Sequence, residues 1–463
     1  MTLPRAAFAV VPLVLATLPA LGTVGAASSA PAPTLVAAAA APVQTCTRIS
    51  RLPDGTAPAE GVDAGPASID VSPNGRFVVF SSYANGLVPG DTNGYRDVFL
   101  YDAADGSTTM ISTAGVYGDT NGDSFSPSVS DDGSRVAFVS AASNLAAGDT
   151  NGYTDAFVWR RASMSVTQET FDAAGGPTDG AVESAELSGD GRFLAYASLA
   201  STVVSRTSDT NGTTDVFRRD LATGTTVIVS KLRDGTQNDR PSRHPSISRD
   251  GGRIAFLSES SPGAGLLPRP GGRSIAVWTA RTGAITRVSS TGTQKRLIER
   301  GFPSISADGR RVAYLTNARA ETGANDGLQQ AVVWDARSGR LIRASRTASR
   351  AADAAADGVQ LSPDGRFVLV TSGSTTLARG ATDGTPVPWR ATLGRGAYPT
   401  AFVPLSRTPR GRPAVATGDV GGVSSDGRTV VITSRATTLI AGGDPGDTNG
   451  SDDLFRCTGV RPS

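Results

Sequence analysis

The chain of 463 residues is poor in the groups that most often carry chemistry: one histidine, His244, two cysteines, Cys46 and Cys457, and two lysines, Lys231 and Lys295. A single imidazole excludes a histidine-rich metal centre, and His244 reads as a loop residue rather than a catalytic base. No G-x-S-x-G elbow is present, which removes the serine-hydrolase nucleophile arrangement. A net charge of +2 is too small to argue for nucleic acid, and the basic residues are scattered rather than interleaved with the few aromatics. After the first 21 residues there is no long hydrophobic run, and no stretch is periodic enough for a core helix.

What the chain has in quantity is turn chemistry, with 54 glycines and 28 prolines. A Ser-x-(Asp/Asn)-Gly turn recurs with its glycine at Gly75, Gly133, Gly191, Gly251, Gly309, Gly365 and Gly427, a fixed-period signature of a repeat architecture. Each copy reads as four short strands. A short run such as Ser128-Val129-Ser130 enters the Asp-Gly turn, and an apolar run such as Arg135–Ser140 leaves it, a hairpin signal. A third run, Asp97–Tyr101 in the first copy, passes through Asp105-Gly106 into a fourth, Thr108–Ser112. Four-stranded units repeated radially predict an all-β, seven-bladed β-propeller with antiparallel blades.

The first 26 residues carry one basic residue, Arg5, an apolar stretch to Leu21 and a Val24-x-Ala26 site, and they read as a secretory signal peptide. The other reading of that stretch is a retained membrane anchor. Residues 27–43 form an Ala/Pro-rich tether expected to be disordered, and the propeller is expected over 44–463. After signal cleavage nothing predicts stable membrane insertion, so the expected location is secreted or extracellular.

Repeat alignment gives the two cysteines a role. Gln44–Ser50 matches a fourth strand, and Asp453–Cys457 matches a third strand with no fourth following it. The N-terminal strand therefore completes the seventh blade. In the first copy the positions of Cys457 and Cys46 fall on Tyr101 and Thr108, which face each other across a hairpin. Opposed antiparallel residues lie within disulfide reach, so a Cys46–Cys457 bridge across the ring closure is predicted.

Candidate chemistry lies before the third strand, where D-T-N-G-x-x-D occurs four times. Its oxygens are Asp91, Asn93 and Asp97 in the first blade, with a backbone carbonyl at Tyr95. They are Asp149, Asn151 and Asp155 in the second, Asp209, Asn211 and Asp215 in the third, and Asp447, Asn449 and Asp453 in the seventh. Oxygens at positions one, three, five and seven are the front half of an EF-hand-type calcium loop. The back half is missing, because position twelve lies at the far end of the third strand, about 17 Å away at roughly 3.3 Å per residue. Weak calcium binding is one reading, and Asx-turns with a positive-φ glycine and no metal are the other. Asp119, Asn121 and Asp123 before the second blade offer further oxygens. The loops after the third and fourth blades are basic instead, with Lys231, Arg233, Arg240, Arg243, His244, Lys295, Arg296 and Arg300. They read either as a solvated face or as an anion-binding patch.

At Ser130–Phe138, S-x-D-G-x-R-V-A-F, and Ser143–Phe157, S-N-L-x-x-G-D-T-N-G-x-x-D-x-F, the chain resembles the WD-like repeat of TolB-type β-propellers, exported ones in particular. The likeness covers Gln44 to Gly459 and implies a propeller used for binding and assembly. The chain departs from TolB in having a short tether where that protein has a separate α/β domain. The expected function is a non-catalytic binding or scaffold module with a protein or glycan ligand on the rim, no catalytic residues and no nucleic-acid partner. The competing expectation is a calcium-assisted propeller lyase or glycoside-acting hydrolase using rim carboxylates.

Overall fold

The structure, a computed structural model, describes residues 44–62, 68–114, 118–204, 209–232, 234–260, 272–289, 302–323, 327–350, 352–377, 384–406, 419–435, 439 and 450–460. The predicted signal and tether lie outside them. Those residues form seven four-stranded antiparallel sheets, each pairing its strands in sequence order except the last. In the first blade the strands are Ile69–Val71, Phe77–Ser82, Asp97–Asp102 and Ser107–Met110. The one helix among the described residues is a single turn, Arg319–Thr322, and no described helix is long and apolar enough to cross a membrane.

The seventh sheet closes the ring as the repeat alignment requires. Thr45–Arg48 is its outer strand and pairs with Asp453–Thr458, with Cys46 opposite Cys457. The two cysteines are disulfide-bonded, their Cα atoms 3.9 Å apart and 411 residues apart in sequence. The ion pair of Arg48 with Asp453, 3.4 Å and buried on both sides, backs the same closure.

Each Ser-x-(Asp/Asn)-Gly turn is held by its serine. Ser130 Oγ donates to Asp132 Oδ1 at 2.8 Å and accepts the Arg135 N–H at 3.0 Å, and Ser188, Ser248, Ser306, Ser362 and Ser424 repeat the arrangement. The turn glycine is required for its left-handed φ and, in places, for room. At Gly133, with φ of 68°, an added Cβ would lie 2.3 Å from the Phe77 ring of the preceding blade. The blades pack through such contacts. Apolar residues of the second and third strands fill the space between neighbouring sheets, as where Val136 and Phe138 of the second blade meet Val79 and Leu100 of the first.

One expectation about the strands needs correction. The innermost strand of the second blade is not the three-residue run Ser128–Ser130 but Ser124–Val129, with a bulge between Phe125 and Ser128. The bulge breaks the two-residue alternation, so the sequence pattern shows only the part beyond it. The outer strand of the sixth blade is Ala401–Pro404, with Phe402 and Val403 buried.

Candidate functional site

The innermost strands surround a central cavity of about 200 Å³. They are Ile69–Val71, Ser124–Val129, Val182–Leu187, Ser242–Ile247, Ser304–Ile305, Ala356–Leu361 and Val420–Val423. Two residues before each turn serine stands a position that faces this channel, and in the first five blades it hands an oxygen to the next blade. Asp70 Oδ2 accepts the Val129 N–H at 2.9 Å, Ser128 Oγ accepts that of Leu187 at 3.0 Å, and Glu186 Oε1 that of Ile247 at 3.1 Å. Ser246 and Ser304 do the same for Ile305 and Leu361. In the seventh blade the position is Gly422, where a Cβ would lie 2.5 Å from Val71. Asp70 supplies the missing acceptor itself, its Oδ1 taking the Val71 N–H at 2.7 Å.

Burial raises the pKa of both channel carboxyls. That of Glu186 is pushed up to about 8 by burial and then by the charge of Asp70, and burial likewise raises Asp70. At the Ser-x-(Asp/Asn)-Gly end Arg249 of the fourth blade pairs with Asp131 of the second. Gly189 of the intervening blade makes room, since a Cβ there would meet Asp131 Oδ1 at 2.5 Å. His244 is not a loop residue. It sits at the bulge of the fourth innermost strand with φ of 52° and packs on Phe302, ring centroids 3.9 Å apart. Burial, with Arg243 and Arg273 nearby, pushes its pKa down to about 4, so the ring is neutral at physiological pH.

The D-T-N-G-x-x-D loops form a second cluster. Asp97, Asp155, Asp215 and Asp453 are all buried at the start of third strands. Each accepts a hydrogen bond from the hydroxyl that ends the neighbouring outer strand: Ser112 to Asp97 at 2.6 Å, Thr170 to Asp155 at 2.5 Å, Ser230 to Asp215, and Ser50 to Asp453 at 3.0 Å. The same hydroxyls accept the N–H of the next residue on the third strand, as Ser112 does from Val98 at 2.9 Å. This clasp was not anticipated, although the Ser or Thr closing each fourth run marks it.

The asparagines make the Asx-turn. Asn93 Oδ1 accepts the Tyr95 N–H at 2.8 Å, and Asn151 and Asn211 repeat this with Tyr153 and Thr213. Gly94, Gly152 and Gly212 hold φ of 72°, 72° and 65°. The amide nitrogens of Asn93 and Asn151 donate to Asp97 and Asp155, each at 3.1 Å.

The first carboxylates of the loops, Asp91, Asp149 and Asp209, are buried. Burial, then Asp97 and Asp119, push Asp91 up to about 7. Burial, then Asp155, push Asp149 up to about 6. In the third blade burial dominates again and Asp215 stands at about 7, but Lys231 pulls both Asp209 and Asp215 back and Gln237 donates to each at 3.3 Å. Of the extra oxygens, Asp119 faces the first loop and accepts from Thr92 at 2.9 Å. Asp123 instead takes the Arg96 N–H, and Asn121 turns to Ser143 of its own blade. Among the described residues no three His, Cys, Asp or Glu side chains converge as a metal-holding group.

Asp447, Asn449, Arg233, Lys295, Arg296 and Arg300 lie outside the described residues. Lys231 acts on the third-blade acid pair, and Arg243 pairs with Glu183 at 3.3 Å. His244 lines the central channel.

Among solved structures the chain is similar to oligogalacturonate lyase from Vibrio parahaemolyticus, with 10% identity over 89% of this chain and 93% of that one and a TM-score of 0.52. An oligogalacturonate lyase in complex with manganese gives 13% identity, 91% and 94% coverage and a TM-score of 0.52. TolB from Acinetobacter baumannii gives 18% identity over 59% of this chain and a TM-score of 0.37, and the match spans about half of that protein (52%). No family model matches the chain, and no curated protein does. At these identities the likeness is one of fold, a seven-bladed propeller.

Proposed function

We propose that the protein is an exported, non-catalytic binding module that presents a protein or glycan ligand site on its rim, with weak calcium sites in the D-T-N-G-x-x-D loops. The observation that carries this reading is the employment of the channel's acids. Asp70 and Glu186 each hold a backbone N–H of the next blade, and the one imidazole is packed neutral on Phe302. These groups are therefore engaged between neighbouring blades, which leaves recognition to the rims. The disulfide at the closure supports export, since such a bond persists in an oxidising compartment.

The calcium part rests on charge. In the first blade the charges acting on Asp91 and Asp97 are those of other carboxylates, and a divalent cation would relieve their repulsion. In the third blade Lys231 already plays that part, and in the seventh Arg48 does so for Asp453. The first and second blades are therefore the better cation sites. The second reading is a cation-assisted carbohydrate lyase or glycoside hydrolase. It draws on the neighbour named as a lyase in complex with manganese and on the raised pKa of Asp91. A glycan and protein binding array run with and without calcium tests the proposal. Retention of a ligand without turnover supports it, and cation-dependent cleavage of an acidic polysaccharide overturns it.

A further inference from the structure

The rim formed by the Ser-x-(Asp/Asn)-Gly turns, opposite the D-T-N-G-x-x-D loops, carries a groove of about 570 Å³ between the fifth and sixth blades. Its volume falls within the roughly 300–1,000 Å³ of small-ligand sites. Four turns build it: Asp308–Arg311 and Asp335–Arg340 from the fifth blade, Asp364–Arg366 and Gly394–Gly396 from the sixth. Six arginines line it against three aspartates, a formal charge of +3, whereas the whole chain carries only +2. The groove is thus a concentration of positive charge on a nearly neutral molecule.

The aspartates are already occupied. Asp308 and Asp364 each accept, on one oxygen, their turn's serine hydroxyl and a backbone N–H. Asp335 accepts the N–H groups of Arg337 and Ser338, both at 3.0 Å. Their other oxygens meet three of the arginines: Arg310 at 3.6 Å, Arg311 at 3.2 Å, and Arg366. The three remaining arginines, Arg337, Arg340 and Arg395, are exposed and make no side-chain hydrogen bond or ion pair among the described residues. Three unengaged guanidinium forks around one groove, with no lysine among them, are suited to oxyanions held bidentately. Among the described residues no aromatic side chain lines the groove, so those residues offer a nucleic-acid base no stacking platform.

We infer that this groove binds a small ligand carrying two or more oxyanion groups, whether carboxylate, sulfate or phosphate, with Arg337, Arg340 and Arg395 as its recognition residues. The test is titration calorimetry on the full protein with tripolyphosphate, citrate and a uronic acid tetrasaccharide as separate probes, at low and at physiological salt. At least one probe should bind, and binding should weaken as salt rises. Which one binds separates a phosphorylated source from a carboxylated metabolite or an acidic glycan. The Arg337→Ala/Arg395→Ala variant should bind weaker by on the order of tenfold for each guanidinium removed. Arg340→Lys, which keeps the charge and loses the fork, should weaken it less. These are exposed turn positions, so the melting temperature should stay at the wild-type value. No binding of any probe, salt-independent binding, or equal binding by wild type and the double alanine variant would each overturn the assignment. The D-T-N-G-x-x-D loops lie on the other rim, so their calcium response and this groove can fail independently.

Discussion

Cutting the Cys46–Cys457 bridge should destabilise the protein mainly through its unfolded state. The bridge joins residues 411 apart, and for a closed loop of that length the chain-entropy relation gives about 6 kcal/mol at 25 °C. Native disulfides more often deliver about 2–5 kcal/mol, because unfolded chains are not ideal coils. The folded state keeps other hold on the N-terminal strand. Gln44 Nε2 donates to Leu405 O at 2.7 Å, the Ile49 N–H donates to Leu454 O at 2.8 Å, and the buried Arg48–Asp453 pair remains. The Cys46→Ala/Cys457→Ala variant should therefore fold to the same propeller with a stability lower by about 2–5 kcal/mol. Denaturant melts followed by circular dichroism measure this, and reductant added to the wild type should reproduce the lower midpoint. Equal midpoints for the oxidised and reduced protein, or two free thiols in the mass spectrum of the protein purified without reductant, would refute the reasoning.

Three further outcomes are expected. Asp91 and Asp215 titrate near 7 and Asp149 near 6 in the folded protein, against 3.8 as the ordinary value, so between about pH 4 and 7 the native state binds more protons than the unfolded state. Stability from these groups falls as pH rises through that window, and a melting temperature that is higher at pH 8 than at pH 5 would contradict the burial argument. Calcium should raise the melting temperature in small graded steps that EDTA reverses, and Asp91→Asn/Asp97→Asn should remove the first blade's share; a curve indifferent to both calcium and chelator would leave the loops as turn chemistry. Gly251→Ala places a Cβ 2.2 Å from the Phe193 ring at a φ of 65°, so it should cost about 1–3 kcal/mol in a denaturant melt, and a neutral result would mean that the interblade contact yields freely.

The parts of this structure that were legible in the sequence are those that repeat. The turn glycines set the period, and aligning Cys46 on Thr108 and Cys457 on Tyr101 was enough to place the closure and its disulfide. The channel ring was not legible, because its positions hold Asp70, Ser128, Glu186, Ser246, Ser304, Gln360 and Gly422, five different residue types over seven blades. Most share only an oxygen placed two residues before the turn serine, and that equivalence emerges once the blades stand side by side. His244 was misread for a related reason: the bulge that turns it into the channel disrupts the alternation that marks a strand. The arginine groove was missed because its members come from four separate turns spread between Asp308 and Gly396, none of them unusual alone. In the D-T-N-G-x-x-D loops both the Asx-turn and the paired carboxylates were readable, but the Ser112-type clasp was not, since a strand-ending serine looks like an ordinary boundary residue.

The central claim is that this propeller retains its ligand without transforming it. The direct measurement is mass spectrometry of a pool of neutral and acidic oligosaccharides incubated with the protein, in calcium and in manganese, with the bound and free fractions analysed separately. The account predicts a bound fraction enriched in particular members, every mass unchanged. New masses corresponding to shortened or unsaturated fragments, appearing only in the presence of the protein and a cation, would contradict it.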